Sequence, residues 1–183
     1  LNTKNIILKF TSQILMSLIA TTRFNNSTWN ENIAFRSKYN YSGCIYGSPS
    51  QLSCKIDKDA VLFVIEMNNT TNKIEGIGVI RNTNRHDKYY CIYNAGNFNR
   101  YTFTGKYRID RSDLIASNPD LVKILDQVLF KGKGHSKRGD SITLFPKKIM
   151  HKLLDEMDIA KEIKNIFIET FRSSNTLLEK ENI

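Results

Sequence analysis

Proline is rare in this chain, three among 183 residues, and no linker-like stretch divides it. With 40% hydrophobic residues, that scarcity argues against a disordered chain and for an ordered domain with a real core. Cysteine is equally sparse. Cys44, Cys54 and Cys91 make an odd count without a CxxC spacing. That argues against a disulfide framework and against a zinc site of the usual kind. No apolar run reaches the length of a membrane span, so no membrane partner is expected and the chain reads as intracellular. Walker A, GxSxG and HExxH motifs are all missing. No motif of real specificity therefore marks an enzyme, a metal site or a cofactor.

What the chain has in surplus is positive charge. A formal net charge of +9 favours anionic partners such as nucleic acid. The charge is densest in Lys131-Gly132-Lys133-Gly134-His135-Ser136-Lys137-Arg138-Gly139-Asp140, which holds four fixed cations, one histidine and three glycines. Glycine permits positive φ and close backbone approach, and lysine and arginine suit phosphate oxygens. Lys131, Lys133, Lys137 and Arg138 are therefore candidate phosphate contacts, with His135 as a phosphate or base contact. A solvated basic loop is the plain alternative.

The elements around this loop follow from periodicity. Ile6 to Ala20 places apolar residues at three- and four-residue steps and predicts an amphipathic helix, with a short strand at Ile6 to Phe10 followed by a helix as the alternative. Thr21 to Tyr41 is polar, anchored by Trp29 and Phe35. Tyr41 to Pro49 predicts a short strand. Val61 to Met67 is β-branched and bounded by turn residues, so it predicts a central strand, and Lys73 to Ile80 returns beside it as a hairpin. Gly76 and Gly78 lie two apart on one face, which marks a bulge, a barrel bend or a close approach of another group. The barrel bend is the first expectation. Tyr89 to Tyr93, Tyr101 to Phe103 and Lys106 to Ile109 read as further strands. Asn118-Pro119-Asp120 is a helix start, with Leu121, Val122, Ile124, Leu125, Val128 and Leu129 as its buried stripe. Ile142 to Phe145 reads as strand-like, and Thr143 to Pro146 leads into a last helical region. Ile149 to Met157 and Ile159 to Phe171 read as helical, with Asp158 as a cap between them.

Cations and aromatics interleave between Phe98 and Arg111. On a strand, Lys106 and Arg108 share one face and Tyr107 and Ile109 the other. Arg100, Lys106, Arg108 and Arg111 are thus candidates to extend a phosphate track over an aromatic core. Tyrosines packing a core beneath solvated cations is the alternative. Trp29, the only tryptophan, is either a core filler or a base-stacking residue. Asp57, Asp59 and Glu66 resemble nuclease carboxylates, yet no Glu-x-Lys follows on that strand.

The order of elements (the Trp29-bearing polar segment, strand Val61 to Met67, a turn, then Ile74-Glu75-Gly76-Ile77-Gly78-Val79-Ile80) resembles the PUA-like superfamily, which includes the EVE, YTH and ASCH domains. The resemblance covers roughly residues 23 to 115. It implies a small barrel that binds RNA or DNA, often reading a modified base in an aromatic pocket. A three-tryptophan cage has no counterpart here, so Tyr or Phe would have to supply its walls. The overall pattern is also similar to uncharacterised proteins of large DNA viruses.

The sequence reading is an α+β chain. A small, curled, mostly antiparallel β-barrel is flanked by N- and C-terminal helices within residues 1–172, followed by a polar tail at 173–183. Its expected work is to bind nucleic acid without catalysis. Two alternatives stay open: an assembly component of a virion or ribonucleoprotein, and a nuclease or base-modifying enzyme using His135 with nearby carboxylates.

Overall fold

The β-branched run Val61–Asn68 is the strand on which the fold is built. The computed structural model describes residues 17–132, 134–153, 155 and 157–180. In chain order the elements are β1 (Leu18–Phe24), α1 (Asn26–Lys38), β2 (Cys44–Ser48), β3 (Val61–Asn68), β4 (Lys73–Arg81), a 3-10 turn (Gly96–Asn99), β5 (Tyr101–Gly105) and β6 (Tyr107–Asp110). Then come α2 (Arg111–Ser117), α3 (Pro119–Phe130), β7 (Thr143–Leu144), α4 (Lys147–Leu153) and α5 (Ile159–Lys180). The protein is α+β.

Five strands form one mixed sheet in the order β6-β4-β3-β1-β7. The β3–β4 hairpin is antiparallel as its sequence predicts, from Val61↔Arg81 to Asn68↔Lys73. The Asn68 side-chain oxygen accepts from Thr70 N at 3.1 Å and shapes the turn. Asn72 closes the turn in the left-handed region, at φ 57°, which asparagine tolerates better than most residues.

The expected closed antiparallel barrel is corrected in two respects. β1 pairs with β3 in parallel, Leu18↔Leu62 through Phe24↔Asn68, and the sheet stays open between the short outer strands β6 and β7. β2 and β5 form a separate antiparallel ribbon. That ribbon lies across the sheet face instead of joining its edges. The crossover through α1 and β2 supplies the length that a parallel connection needs.

Alternation along β3 divides the core. Phe63, Ile65 and Met67 face the helices, packing with Leu114 of α2, Leu121, Leu125 and Leu129 of α3, and Ile163 and Phe167 of α5. Leu62 and Val64 face the β2–β5 ribbon and α1, with Cys44, Ile45, Tyr46 and Phe103. The Asn118 start is as the sequence predicts: its side chain accepts from Leu121 N at 3.0 Å. In the stripe that follows, Leu121, Val122, Leu125 and Leu129 are buried, while Ile124 and Val128 are half-buried. Asp158 caps α5 through Lys161 N at 3.1 Å.

Three segments depart from the sequence reading. Leu18, Ile19 and Ala20, expected to end a helix, lie in β1. Residues 6–16 of that expected helix lie outside the described residues. The polar segment after Thr21 contains α1, started by a reciprocal cap between Asn25 and Thr28. Tyr89 to Tyr93 is not a strand. The buried Asn99 side chain accepts from Ile92 N and Tyr93 N at 3.0 and 2.9 Å and donates to Tyr93 O at 2.7 Å. One side chain thus meets the backbone needs that a neighbouring strand would otherwise meet.

Candidate functional site

β1 and β3 run in parallel and end together, and Asn69 N donates to Phe24 O at 2.7 Å. Their carboxyl ends, the N-terminus of α1 and the 3-10 turn surround a cavity of about 190 Å³. Its aromatic walls are Phe24, Tyr93 and Phe98. Phe24 and Tyr93 lie 6.5 Å apart between ring centroids, and Tyr93 and Phe98 lie 6.3 Å apart at 80°. Asn25, Asn69, Arg23 and Asp140 supply the polar side of the lining.

The basic loop folds against this cavity. Arg23, at the end of β1, donates from Nε to Ser136 O at 2.7 Å and from Nη1 to Ser141 O at 3.1 Å. Asn69 Nδ2 donates to the Lys137 carbonyl at 2.9 Å. Gly132 and Gly139 take φ values of 78° and 101°, the left-handed conformation that glycine adopts without cost. Burial lowers the Arg23 pKa, with Asp140 acting against it, and an arginine remains charged under these conditions. A fixed cation thus stands behind the cavity while it orders the loop.

Asn69 Oδ1 is buried and has no hydrogen-bond partner among the described residues. The bond from Nδ2 to Lys137 sets the orientation of the amide, so Oδ1 is the group left over. An unmet buried acceptor costs about 1–3 kcal/mol.

The sequence candidates fall into four groups. Lys131 and Arg138 are exposed in the loop, and Lys137 and His135 are half-buried there. His135 Nδ1 accepts from Lys137 N at 3.4 Å, while Lys133 lies outside the described residues. Arg100 is exposed near the 3-10 turn, its guanidinium 5.6 Å from the Tyr101 ring centroid. Lys106 is exposed at the other end of the β2–β5 ribbon. Arg108 is corrected: its side chain is buried and forms no part of an open phosphate track. Arg111 pairs with Asp126 at 2.7 Å and donates to Ile74 O at 2.8 Å.

Arg108 is an interior residue. It meets Glu66 at 2.7 Å, and the two side chains are 3% and 1% exposed. Tyr46 donates its hydroxyl to Glu66 Oε1 at 2.7 Å, and Arg108 Nη1 also meets Asp110. Burial opposes the Arg108 charge, yet Glu66 beside it lifts the pKa above the ordinary arginine value. Burial, with Cys44 and Glu66 nearby, raises Tyr46 well above 10.0, so it stays a neutral donor. Burial and Glu66 push the Cys44 thiol up to about 12. Gly76 and Gly78 make room for this network. A Cβ at Gly76 would lie 2.7 Å from Arg108 Nη2, and one at Gly78 would lie 2.6 Å from Cys44 Sγ. The glycine pair therefore marks close approach, together with a register shift between Glu66 and Met67, in place of a barrel bend.

Trp29 is half-buried on α1 and does not line the cavity. Its ring meets Phe24 edge-on at 5.1 Å and has the Arg36 and Arg108 guanidinium groups each 5.6 Å from its centroid. The carboxylates weighed for nuclease chemistry are dispersed. Glu66 is inside the network, and Asp59 bonds Thr83 at the end of β3 remote from His135. Among the described residues no three His, Cys, Asp or Glu side chains are grouped so as to hold a metal ion. None of the described helices is long and apolar enough to cross a membrane.

Sequence reasoning missed Arg23, Phe24, Asn25, Asn69, Tyr93 and Phe98. Asn25 and Asn69 lie in polar segments that read as connections, Tyr93 in an expected strand, and Phe98 at the start of the interleaved cation and aromatic run. By architecture the protein is an open mixed sheet with helices on one face and a ribbon plus α1 on the other. No family model matches the chain, and neither a curated protein nor a solved structure matches it.

Proposed function

We propose that this protein is a non-catalytic nucleic-acid-binding module. Its loop from Lys131 to Asp140 contacts phosphates, and one base enters the cavity between Phe24, Tyr93 and Phe98. The observation that carries this reading is the joining of the two features: Arg23 and Asn69 tether the cationic loop to the cavity they also line. At about 190 Å³ the cavity is below the roughly 300–1,000 Å³ of drug-sized sites and suits one planar ring system. Aromatic walls favour a base by stacking. Asn25 and Asn69 add polar side chains to the lining.

The test is a salt series of binding to labelled single-stranded and duplex DNA and RNA. The Lys137→Ala/Arg138→Ala double variant is expected to flatten the slope of log affinity against log salt by about two units. Asn69→Ala, which removes the tether to the Lys137 carbonyl, is expected to weaken single-strand binding by about tenfold. Failure to bind any of the four nucleic acids at low salt would refute the reading.

A further inference from the structure

At the end of β3 remote from the cavity, the β2–β5 ribbon and β4 flank a groove of about 760 Å³. Arg81, Arg85 and Lys106 line it, and among the described residues no Asp or Glu does. Val61 and Val79 give it an apolar stretch, and Tyr39 forms part of one wall. Tyr39 is 51% exposed, and its ring is braced against Phe35 at 4.6 Å. The Lys38 and Lys88 ammonium groups stand 5.4 and 5.9 Å from its centroid. Arg85 is held by Asp87 at 2.9 Å, with both side chains close to half exposed. Such surface pairs are weak and exchange partners at little cost. A shallower depression shares Asn40, Tyr41 and Ser42 with the groove and continues it to Arg36 on α1.

We propose that this groove is a second ligand site that takes a nucleotide unit, with its base on Tyr39 and its phosphate among Arg81, Arg85 and Lys106. The chemistry selects this occupant. Three cations with no carboxylate in the lining select an anion. An exposed, braced tyrosine flanked by lysines selects a planar ring. An acidic peptide meets only the first requirement. The unit has two sources, a free nucleotide or one residue of a single strand. The eight residues of β3 set its two ends about 23 Å apart, seven steps of roughly 3.3 Å. A strand of several nucleotides spans that distance, within the site sizes common for single-strand binders.

The test is a titration of 15N-labelled protein followed by amide shifts. The probes are adenosine 5′-monophosphate and oligothymidylates of about four and about twelve residues. Amides of residues 39–43 and 104–107 are expected to move. Tyr39→Ala and Lys106→Ala, both at exposed positions, are each expected to weaken that response about fivefold or more. Movement with the mononucleotide assigns the groove to a free nucleotide. Movement only with the longer oligomer assigns it to a strand. No movement in those amides with any probe overturns the proposal, as does movement that neither variant alters. Shifts confined to Asn25, Asn69 and Gly139 overturn it while leaving the cavity reading standing. Shifts confined to the groove support it and remove the cavity reading.

Discussion

Replacing Glu66 tests the network between sheet and ribbon most directly. Its carboxylate takes Arg108 Nη2 at 2.7 Å, Arg108 Nε at 2.9 Å and the Tyr46 hydroxyl at 2.7 Å, all inside the protein. Removing one partner of a buried ion pair costs about 3–5 kcal/mol, because the other charge is left uncompensated. Asp110 remains on Arg108, yet it is 62% exposed and so compensates only in part. Glu66→Gln keeps an acceptor for Tyr46, so about 3 kcal/mol is expected. Glu66→Ala also strands the phenol, which adds about 1–3 kcal/mol. Asp110→Asn, on the solvent side, is expected to cost less than about 1 kcal/mol. Urea unfolding reads these differences as shifts in midpoint at constant slope. For a chain of this size, 3 kcal/mol corresponds to roughly 6–12 °C in Tm. A Glu66→Gln loss below about 1 kcal/mol, or one no larger than that of Asp110→Asn, would refute the claim that this buried pair ties β6 to β3 within the sheet.

Two further outcomes rest on the same region. Folding raises the Cys44 thiol from 9.0 to about 12, and burial also raises Tyr46 and Tyr93 above 10.0. The folded state keeps protons that the unfolded chain releases, so stability is full below about pH 9 and falls as pH climbs towards about 12. A Tm series across that interval should decline, with Cys44→Ala removing the earliest part of the decline, and a flat series would contradict the assignment. Gly78→Ala should destabilise by at least about 1–3 kcal/mol through overpacking, since the new methyl meets Cys44 Sγ at 2.6 Å and the Tyr46 hydroxyl. A neutral Gly78→Ala in the same urea assay would show that the ribbon can shift away.

What the sequence disclosed depended on how local the governing contacts are. The β3–β4 hairpin and the Asn118 start of α3 are set by residues within a few positions of each other, and both were legible. β1 was not. Its pairing with β3 joins residues more than forty positions apart, and its apolar run continues a pattern that also fits a helix. α1 hid because its sequence is polar on most sides, with Asn32 its buried residue. That residue donates from Nδ2 to Ile45 O at 2.8 Å and to the Tyr93 hydroxyl at 3.2 Å. The helix is therefore docked by a buried amide and by Trp29 and Phe35, half-buried on the same core, and not by a continuous apolar stripe. Arg108 gives the sharper lesson. Strand alternation correctly set it on the face opposite Tyr107 and Ile109, and the inference failed only in taking that face for the outside. Gly76 and Gly78 lie opposite β6 in the sheet, at Gly76↔Asp110 and Gly78↔Arg108. Two glycines two apart beside a strand carrying an arginine leave a space one side chain deep, and Glu66 on the next strand supplies the counter-charge. A cation facing missing side chains and a neighbouring carboxylate is the pattern of a buried pair, whereas the loop cations from Lys131 to Arg138 have no such frame. Once β6 is paired with β4, that criterion assigns Arg108 to the core.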